Sequence, residues 1–411
     1  MIRRLLMPIV ALATLSSAAA CGTSNSADKP PATPPPTSAP LAPWTGSFVS
    51  DTLPTPVQAL GAVACPTDVR CWAVGFTTAI DRTPATAAVV ASSDGGRTWK
   101  VETIPATVGF LTDIACYSAR ACTVVGQTGG TGAASGVILT TQDAGATWAL
   151  QTVPAGTSDV TAVSCRAGGR CMALANVSNR VTALTSAAVG APWVTGGPLP
   201  ATVSAGTGLS CPDAADCWAS GTSPADAGHV SGVVVATADR GTTWALQTVP
   251  TGLGPLQDIT CATAPASGAG TGASPSGKVT CTAVGTTTTA VVAARTGKGV
   301  VLTTSDGGIT WVSAPVTDGS ADLYAVSCDA GPCIAVGTTV AATAQEGIVL
   351  ASGTSGTAGT PGTSGTPTTR SVGWRKAKVA TVALPLSGAA CRSLSSCVVV
   401  GESITAHLSV R

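Results

Sequence analysis

The chain is built from short runs in which valine, isoleucine and leucine alternate with threonine and serine. One representative stretch, beginning at Leu111, reads LTDIAC, CTVVGQT, GVILTTQ and TWALQTVP, with glycine, proline or aspartate near the breaks. Alternation with a period of two is typical of half-buried strands, whereas a helix repeats about every 3.6 residues. No run keeps the helical period. The pattern therefore predicts an all-β protein whose strands come in groups of four.

Fourteen of the fifteen cysteines form seven successive pairs, one in each repeat of the four-strand pattern. Self-similarity at a period of tens of residues is the signature of a propeller or a solenoid. We therefore expect residues 44–411 to form a seven-bladed β-propeller of four-stranded antiparallel blades, with one disulfide in each blade. The expected pairs are Cys65/Cys71, Cys116/Cys122, Cys165/Cys171, Cys211/Cys217, Cys261/Cys281, Cys328/Cys333 and Cys391/Cys397.

The N-terminal residues have a different composition. Residues 1–20 begin with two arginines, continue with an apolar run and end in small residues, which is the pattern of a secretory signal peptide. The sequence SSAAAC is similar to a bacterial lipobox, so we expect Cys21 to carry a lipid. The alternative is ordinary signal-peptidase cleavage, which would leave Cys21 as a free thiol. Residues 21–43, rich in proline, serine and threonine, are expected to be a lipid-anchored flexible linker.

These features predict an exported protein at the outer face of the cytoplasmic membrane or elsewhere in the cell envelope, or a secreted one if Cys21 is not lipidated. The only membrane contact expected is the N-terminal lipid. The net charge is +1 and charged residues make up 10% of the chain. Because nucleic-acid-binding proteins carry strong basic patches, we expect no nucleic acid partner. We expect a monomer.

Each cysteine pair lies where the first strand of a repeat ends and the second begins, and we call the segment between the two cysteines a cysteine hairpin. A disulfide there would close a short loop. Zinc binding is the alternative, but five pairs have the spacing C-x5-C, which is wider than usual zinc-ligand spacings, and the chain carries an export signal. We expect no metal and no other cofactor.

A second motif, S/T-x-D-x-G-x-T-W, recurs between the third and fourth strands, and we call each copy a box turn. The intact copies are SSDGGRTW, TQDAGATW, TADRGTTW and TSDGGITW. The aspartate can accept backbone N–H bonds, the glycine allows a positive φ, and the tryptophan can pack between blades. Calcium binding or catalysis by the aspartates is the alternative. The residues expected to have structural roles are Asp94, Trp99, Asp143, Trp148, Asp239, Trp244, Asp306 and Trp311.

Two repeats lack the aspartate of the box turn. One reaches Trp193 through SAAVGAPW, and the other reaches Trp374 after a glycine-rich stretch. The sequence WTGSFVSDTLP, from Trp44, reads like the fourth strand of the other repeats, while the last repeat stops at its third strand. We therefore expect an N-terminal strand to complete the last blade, which closes the ring and removes open sheet edges.

The box turns resemble the Asp-box, or BNR, repeat, and the chain resembles propellers of the sialidase-like superfamily. That resemblance implies one enzymatic function, since sialidases hold the substrate carboxylate with three arginines and use tyrosine, glutamate and aspartate in catalysis. Arg82, Arg180 and Arg295 fall on one face in alternate blades, but no motif supports them as that triad. The only tyrosines are Tyr117 and Tyr324.

The chain also resembles photosystem II assembly-factor propellers in size, blade count and box turns. This second resemblance implies a non-enzymatic platform, and this is the function we expect: binding or scaffolding of an unidentified protein or glycan at the cell envelope. A sialidase-like glycoside hydrolase is one alternative, and a structural envelope component without a ligand is another.

Strand direction places the cysteine hairpins and the box turns on one face, which we call the box face. Nearly half of the arginines fall there. A solvated surface with local ion pairs explains them, and the alternative is docking of an anionic partner. These arginines are Arg70, Arg97, Arg120, Arg166, Arg170, Arg240 and Arg392.

The opposite face, the loop face, carries the longer connections, where propellers usually bind ligands. Candidate ligand residues there are Arg82, His229 and Arg295, with Asp113 and Asp258 on the inner strands. A solvated histidine explains His229 equally well. Capping of strand ends likewise explains Asp113 and Asp258.

Overall fold

The computed structural model describes residues 47–77, 86–129, 132–226, 228–263, 279–287, 297–314, 316, 320–328, 333–340, 345–353, 373–379, 384–393 and 396–409. These residues form 29 strands in seven sheets and no helix. No helix in this part of the chain could cross a membrane. The predicted signal peptide, Cys21, the linker, Trp44, Arg82 and Arg295 lie outside the described residues.

Each of the first six blades is an antiparallel sheet of four strands that follow one another in chain order. Strand β1 (Ser47–Asp51) belongs to the seventh. Blade 1 contains β2 (Val57–Ala64), β3 (Cys71–Thr77), β4 (Ala87–Ser92) and β5 (Lys100–Val101). Blade 2 contains β6 (Val108–Ser118), β7 (Ala121–Thr128), β8 (Gly136–Thr141) and β9 (Ala149–Leu150). Blade 3 contains β10 (Thr157–Cys165), β11 (Cys171–Val177), β12 (Arg180–Ser186) and β13 (Val194–Pro198).

The next three blades repeat the arrangement. Blade 4 contains β14 (Ala205–Ser210), β15 (Cys217–Thr222), β16 (Gly232–Thr237) and β17 (Ala245–Leu246). Blade 5 contains β18 (Leu256–Thr263), β19 (Val279–Thr286), β20 (Gly299–Thr304) and β21 (Val312–Ala314). Blade 6 contains β22 (Ser320–Cys328), β23 (Cys333–Val340), β24 (Gln345–Gly353) and β25 (Gly373–Lys376).

The two ends of the chain meet in blade 7. Its strands β27 (Leu386–Ser393), β28 (Ser396–Gly401) and β29 (Ile404–Ser409) are completed by β1, which runs antiparallel to β29. The closure predicted from the sequence is thus confirmed from Ser47 onward. A short fifth strand that the sequence did not predict, β26 (Lys378–Val379), pairs in parallel with β1. It covers the edge of β1, which would otherwise expose unpaired backbone groups.

The apolar core is divided into seven clusters, one at each seam between neighbouring blades. The tryptophan that ends a box turn packs against the preceding blade. Trp148 of blade 2 joins the cluster of Trp72 in blade 1, Trp311 of blade 5 joins that of Trp218 in blade 4, and Trp99 of blade 1 joins a cluster with blade 7. Burial of these large side chains holds the blades together, because a single thin sheet has no core of its own.

All seven predicted disulfides are present, one in each blade. Each joins the innermost strand of its blade to the next strand. In blade 3, for example, Cys165 and Cys171 are direct partners in the register of β10 and β11. The prediction of an all-β, seven-bladed propeller with one disulfide in each blade is confirmed.

The disulfides do more than close the surface hairpins, which is the only role that the sequence predicts for them. In six blades the second cysteine is buried in the apolar core, because it begins a strand that is covered by a neighbouring blade. At Cys122, Cys281 and Cys397 the exposed fraction is 0%, 2% and 3%. These sulfurs are therefore packing groups within the seams. The six buried cysteines are Cys71, Cys122, Cys171, Cys217, Cys281 and Cys397.

Candidate functional site

The four box turns share one hydrogen-bond pattern. In the turn of blade 2, Thr141 Oγ1 donates to Asp143 Oδ1 at 2.8 Å, and Thr147 donates to both carboxylate oxygens, from its backbone N–H at 2.9 Å and its hydroxyl at 2.6 Å. These bonds from the threonines lower the pKa of Asp143 to about 2. Gly145 adopts a φ of 88°. The carboxylate is thus occupied in shaping the turn.

Each box turn is tied to the cysteine hairpin of its own blade by one backbone hydrogen bond. The residue after the aspartate donates its N–H to a carbonyl near the second cysteine, at distances between 2.9 and 3.0 Å. The two segments therefore form one face, as strand direction predicts. The four bonds are Gly95 to Val69, Ala144 to Arg120, Arg240 to Ala215 and Gly307 to Val279.

A cavity of about 380 Å³, which we call the arginine cavity, opens on the box face between blades 3 and 4. Arg166, Arg170 and Arg240 line it, together with Asp213. The rest of the lining is mostly apolar and includes Met172, Ala187, Ala191, Pro192 and Val194. Three guanidinium groups around an apolar floor can bind an anionic group attached to an apolar one.

Two of the three arginines, Arg170 and Arg240, are available to a ligand: their exposed side chains have no hydrogen bond or ion pair to any described residue. The third, Arg166, donates from Nη1 to the carbonyl of Cys211 at 3.0 Å. Arg240 also has a φ of 63°, a left-handed conformation that costs a non-glycine residue roughly 1 kcal/mol. The residue after the aspartate has a positive φ in all four box turns, so the turn itself imposes this conformation on Arg240.

The arginine cavity adjoins the turn of blade 3, which lacks the box aspartate. Without that carboxylate, the Ser186 hydroxyl bonds instead to the carbonyls of Ala188 and Ala191, both at 3.0 Å. The sequence shows both the missing aspartate and the arginines of the box face. What it does not show is that Arg166 and Arg170, from one blade, and Arg240, from the next, meet beside that turn.

The central channel is lined at one level by the residue four positions before the first cysteine of each blade. The lining is polar, its volume is about 230 Å³, and none of the described lining residues is basic. Thr112 and Thr207 use their hydroxyls to bond backbone carbonyls of the next blade, at 2.8 and 2.7 Å. The seven residues are Gly61, Thr112, Thr161, Thr207, Gln257, Tyr324 and Ser387.

Asp113 and Asp258 also line the channel, and each bridges two blades. One oxygen of Asp113 accepts the N–H of the following residue, and the other accepts the N–H of Val163 in blade 3 at 2.8 Å. Asp258 repeats the arrangement with Val326 of blade 6 at 2.9 Å. Three other seams use a serine directly before the cysteine, whose hydroxyl accepts a cysteine N–H: Ser164 with Cys211, Ser210 with Cys261, and Ser327 with Cys391.

The two channel carboxylates titrate far above the ordinary range for aspartate. Enclosure by protein atoms raises the pKa of Asp113 to about 6 and that of Asp258 to about 7, although backbone N–H bonds oppose both shifts. Repulsion by Asp113 adds to the shift of Asp258. Groups that titrate near neutrality can exchange protons with a ligand, so the two aspartates remain candidates for the predicted ligand site.

Of the other predicted ligand residues, only His229 is among the described residues, since Arg82 and Arg295 lie outside them. His229 is exposed on the loop face, where its backbone exchanges two hydrogen bonds of 2.8 Å with Asp226. Arg180 is exposed beside the carbonyl of Leu199. Among the described residues, no group of three His, Cys, Asp or Glu side chains could hold a metal ion.

No protein-family model matches the sequence, and no curated protein matches it. Several solved structures share its fold. YCF48, solved bound to a D1 peptide, is 13% identical with a TM-score of 0.53, over 89% of this chain and 96% of that one. Virginiamycin B lyase from Staphylococcus aureus, a catalytically inactive variant solved with quinupristin, is 9% identical with a TM-score of 0.58, over 89% and 100%. U3-55K is 9% identical with a TM-score of 0.57, over 89% and 98%.

Identities this low show a common fold and nothing finer. The similar structures include a lyase and a propeller bound to a peptide, so the fold is compatible with both catalysis and binding. The function of this chain must therefore be argued from its own side chains.

Proposed function

We propose that the chain is an exported, lipid-anchored propeller that acts as a non-enzymatic binding platform for a protein or a glycan at the cell envelope. The observation that carries this proposal is the arginine cavity. Arg170 and Arg240 present guanidinium groups without carboxylate partners in the described part of the chain, beside an apolar floor. Its volume of about 380 Å³ suits one anionic side chain or terminal group together with an apolar neighbour.

Several features of the chain support a platform. Seven disulfides and a closed ring make the blades a rigid frame, and rigid frames bind with little loss of conformational entropy. The structure of YCF48 with a D1 peptide is a precedent for peptide binding on this fold. Export and anchoring rest on the signal-like residues 1–20 and on Cys21. They are tested by comparing the membrane fraction of cells that express the wild type or Cys21→Ser.

The raised pKa values of Asp113 and Asp258 are the one observation among the described residues that favours the glycoside hydrolase alternative. Asp113 and Asp258 each spend both carboxylate oxygens on backbone N–H groups. None of the described residues lining the channel is an arginine that could hold a substrate carboxylate, and Arg82 and Arg295 lie outside the described residues.

The test is direct binding to the mature protein. The probes are a fluorescein-labelled, end-blocked peptide with glutamate next to leucine, and a labelled oligosaccharide that contains a uronic acid. We expect the double variant Arg170→Ser/Arg240→Ser to bind one of the probes at least 10-fold more weakly than the wild type, about 1.4 kcal/mol. The matched control is Arg120→Ser/Arg392→Ser, which removes two exposed hairpin arginines from other blades.

Equal binding by the two double variants, or no binding of either probe, would overturn the proposal. Mass spectrometry of the recovered probe separates binding from catalysis, because a platform returns the probe unchanged.

A further inference from the structure

A second cavity, which we call the tryptophan groove, lies on the box face at the seam between blades 4 and 5. Its volume is about 720 Å³, and its walls include Asp216, Trp218, Asp306 and Ile309. Only 5% of Trp218 is exposed, and its buried Nε1–H has no hydrogen-bond acceptor among the described residues. Ile309, by contrast, is 81% exposed. The buried indole N–H groups of Trp72, Trp244 and Trp311 are in the same state, so this feature alone does not distinguish the groove from the other seams.

The seam between blades 1 and 2 is built from the same parts. Trp72 and Trp218 each follow the second cysteine of their blade, and Glu102 and Gln247 each lie three residues after a box-turn tryptophan. Both side chains lie against the box-turn glycine of the next blade: a Cβ added to Gly145 would meet Glu102, and a Cβ added to Gly308 would meet Gln247. The two seams are therefore structural equivalents, and their differences can be compared position by position.

In the first seam, a cation from the chain itself covers the tryptophan. The guanidinium carbon of Arg70 lies 5.1 Å from the centre of the Trp72 ring, and its Nη2 donates to the carbonyl of Ala144 at 2.9 Å. Burial raises the pKa of the nearby Glu102, while the indoles of Trp148 and Trp72 and the charge of Arg70 oppose that shift. This arrangement combines cation–π attraction with charge pairing.

In the second seam that cation is replaced by an acid. The residue directly before the second cysteine is Arg70 in blade 1 and Asp216 in blade 4. None of the described residues lining the tryptophan groove is a lysine or an arginine. Hydrogen bonds from Thr310 hold the pKa of Asp306 at about 2, so this carboxylate stays ionised. The described walls of the groove thus hold a largely buried tryptophan, Asp216 and the turn-forming Asp306, with no described cation in the place that Arg70 takes in the equivalent seam.

We propose that the tryptophan groove binds an arginine side chain of a partner protein, placed over Trp218 as Arg70 is placed over Trp72. This inference deepens the proposed function and rests on it, because a partner must supply the arginine. The planar guanidinium group stacks on an aromatic face and donates several hydrogen bonds, which suits it better than a lysine. The arginine cavity and the tryptophan groove lie on opposite sides of the blade 4 cysteine hairpin. The partner would therefore place an acidic group in the arginine cavity and an arginine in the tryptophan groove.

The test measures fluorescence anisotropy of an end-blocked, fluorescein-labelled peptide that contains arginine and leucine, added to the mature protein. The control peptide carries citrulline, a neutral analogue of arginine with nearly the same shape. The key variant is Asp216→Arg, which places the chain's own cation where Arg70 stands in the first seam. The matched control is Asp68→Arg, which makes the same charge change in the exposed hairpin of blade 1.

We expect citrulline to weaken binding at least fivefold and Asp216→Arg to weaken it at least tenfold, with Asp68→Arg within twofold of the wild type. The melting temperature of Asp216→Arg should equal or exceed that of the wild type, which shows that the loss of binding is not unfolding. Equal binding of the arginine and citrulline peptides, or equal effects of the two variants, would overturn the inference.

The glutamate–leucine peptide and the uronic acid oligosaccharide separate this inference from the proposed function. If either probe binds through Arg170 and Arg240 while the arginine peptide does not bind, the inference fails and the platform stands. If no probe binds, both fail.

Discussion

His407 and Asp51 join the last and first strands of the ring: Nδ1 of His407 lies 2.6 Å from Oδ2 of Asp51. The two side chains are only 11% and 15% exposed, so water competes weakly for either group. They lie on β29 and β1, the pair of strands that closes blade 7. The ring is therefore closed both by backbone hydrogen bonds between β1 and β29 and by a largely buried side-chain contact.

We expect Asp51→Ala to lower the free energy of unfolding by about 1–3 kcal/mol, because the largely buried imidazole of His407 loses its partner. Urea denaturation near neutral pH measures the change. The control is Glu346→Ala, which removes an exposed carboxylate from a strand of blade 6 and should change stability by less than about 0.5 kcal/mol. Equal losses in the two variants would contradict a specific role for the His407–Asp51 contact.

Gly145→Ala should destabilise the protein by about 2–4 kcal/mol. The φ of 88° at Gly145 is unfavourable for alanine, and the added Cβ would overlap the carboxylate of Glu102, which accepts the indole N–H of Trp148 at 2.6 Å. Thermal and urea unfolding measure the loss. Gly132→Ala is the matched control, since nothing lies within 4 Å of its added Cβ. A loss of stability at Gly145 no larger than at Gly132 would show that neither the positive φ nor the contact with Glu102 requires a glycine at position 145.

Stability should depend on pH in two opposite ways. The folded-state pKa of Asp258, about 7, lies above its ordinary value of 3.8, so its contribution to stability is full below about pH 4 and is lost progressively as pH rises to about 7. In Asp143, Asp239 and Asp306, bonds from threonine lower the pKa to about 2, so their contribution is present above about pH 4 and lost at lower pH. Considering these groups, we expect the free energy of unfolding to be highest near pH 4 to 5.

Asp258→Asn isolates the first effect, because asparagine stays neutral at every pH. Between about pH 5 and about pH 8, the fall in the free energy of unfolding should be smaller in the variant than in the wild type, by an amount on the order of 3 kcal/mol. Urea titrations at both pH values give this double difference. Asp226→Asn, an exposed change on the loop face, is the control. If the free energy of unfolding falls by the same amount in Asp258→Asn and in the wild type, this carboxylate does not carry the pH dependence.

Arg240→Gly should separate stability from binding. Glycine relieves the left-handed conformation at φ 63°, so the free energy of unfolding should rise by about 1 kcal/mol. The same change removes a guanidinium group from the arginine cavity and should weaken binding of the anionic probe severalfold. Calorimetry and anisotropy on the same preparation test both halves. A variant that gains stability and still binds normally would remove Arg240 from the site.

The architecture could be predicted because its signals repeat and are local. Period-two alternation predicts strands, the paired cysteines count the blades, and the fourth-strand pattern after Trp44 predicts ring closure, of which the described part begins at Ser47. The fifth strand Lys378–Val379 could not be predicted, because two residues carry no periodicity and its partner β1 lies more than 300 positions earlier.

The sequence by itself thus determined the class of fold, the number of blades and the pairing of cysteines, all of which follow from contacts within one repeat. Only the tertiary structure decided which side chains meet at the seams. It brought Arg240 to Arg166 and Arg170, gave Asp113 and Asp258 their bonds to the next blade, and left Trp218 beside Asp216 without the cation that covers Trp72. Packing of neighbouring blades creates these contacts, and a pattern read along one strand contains no information about the blade beside it.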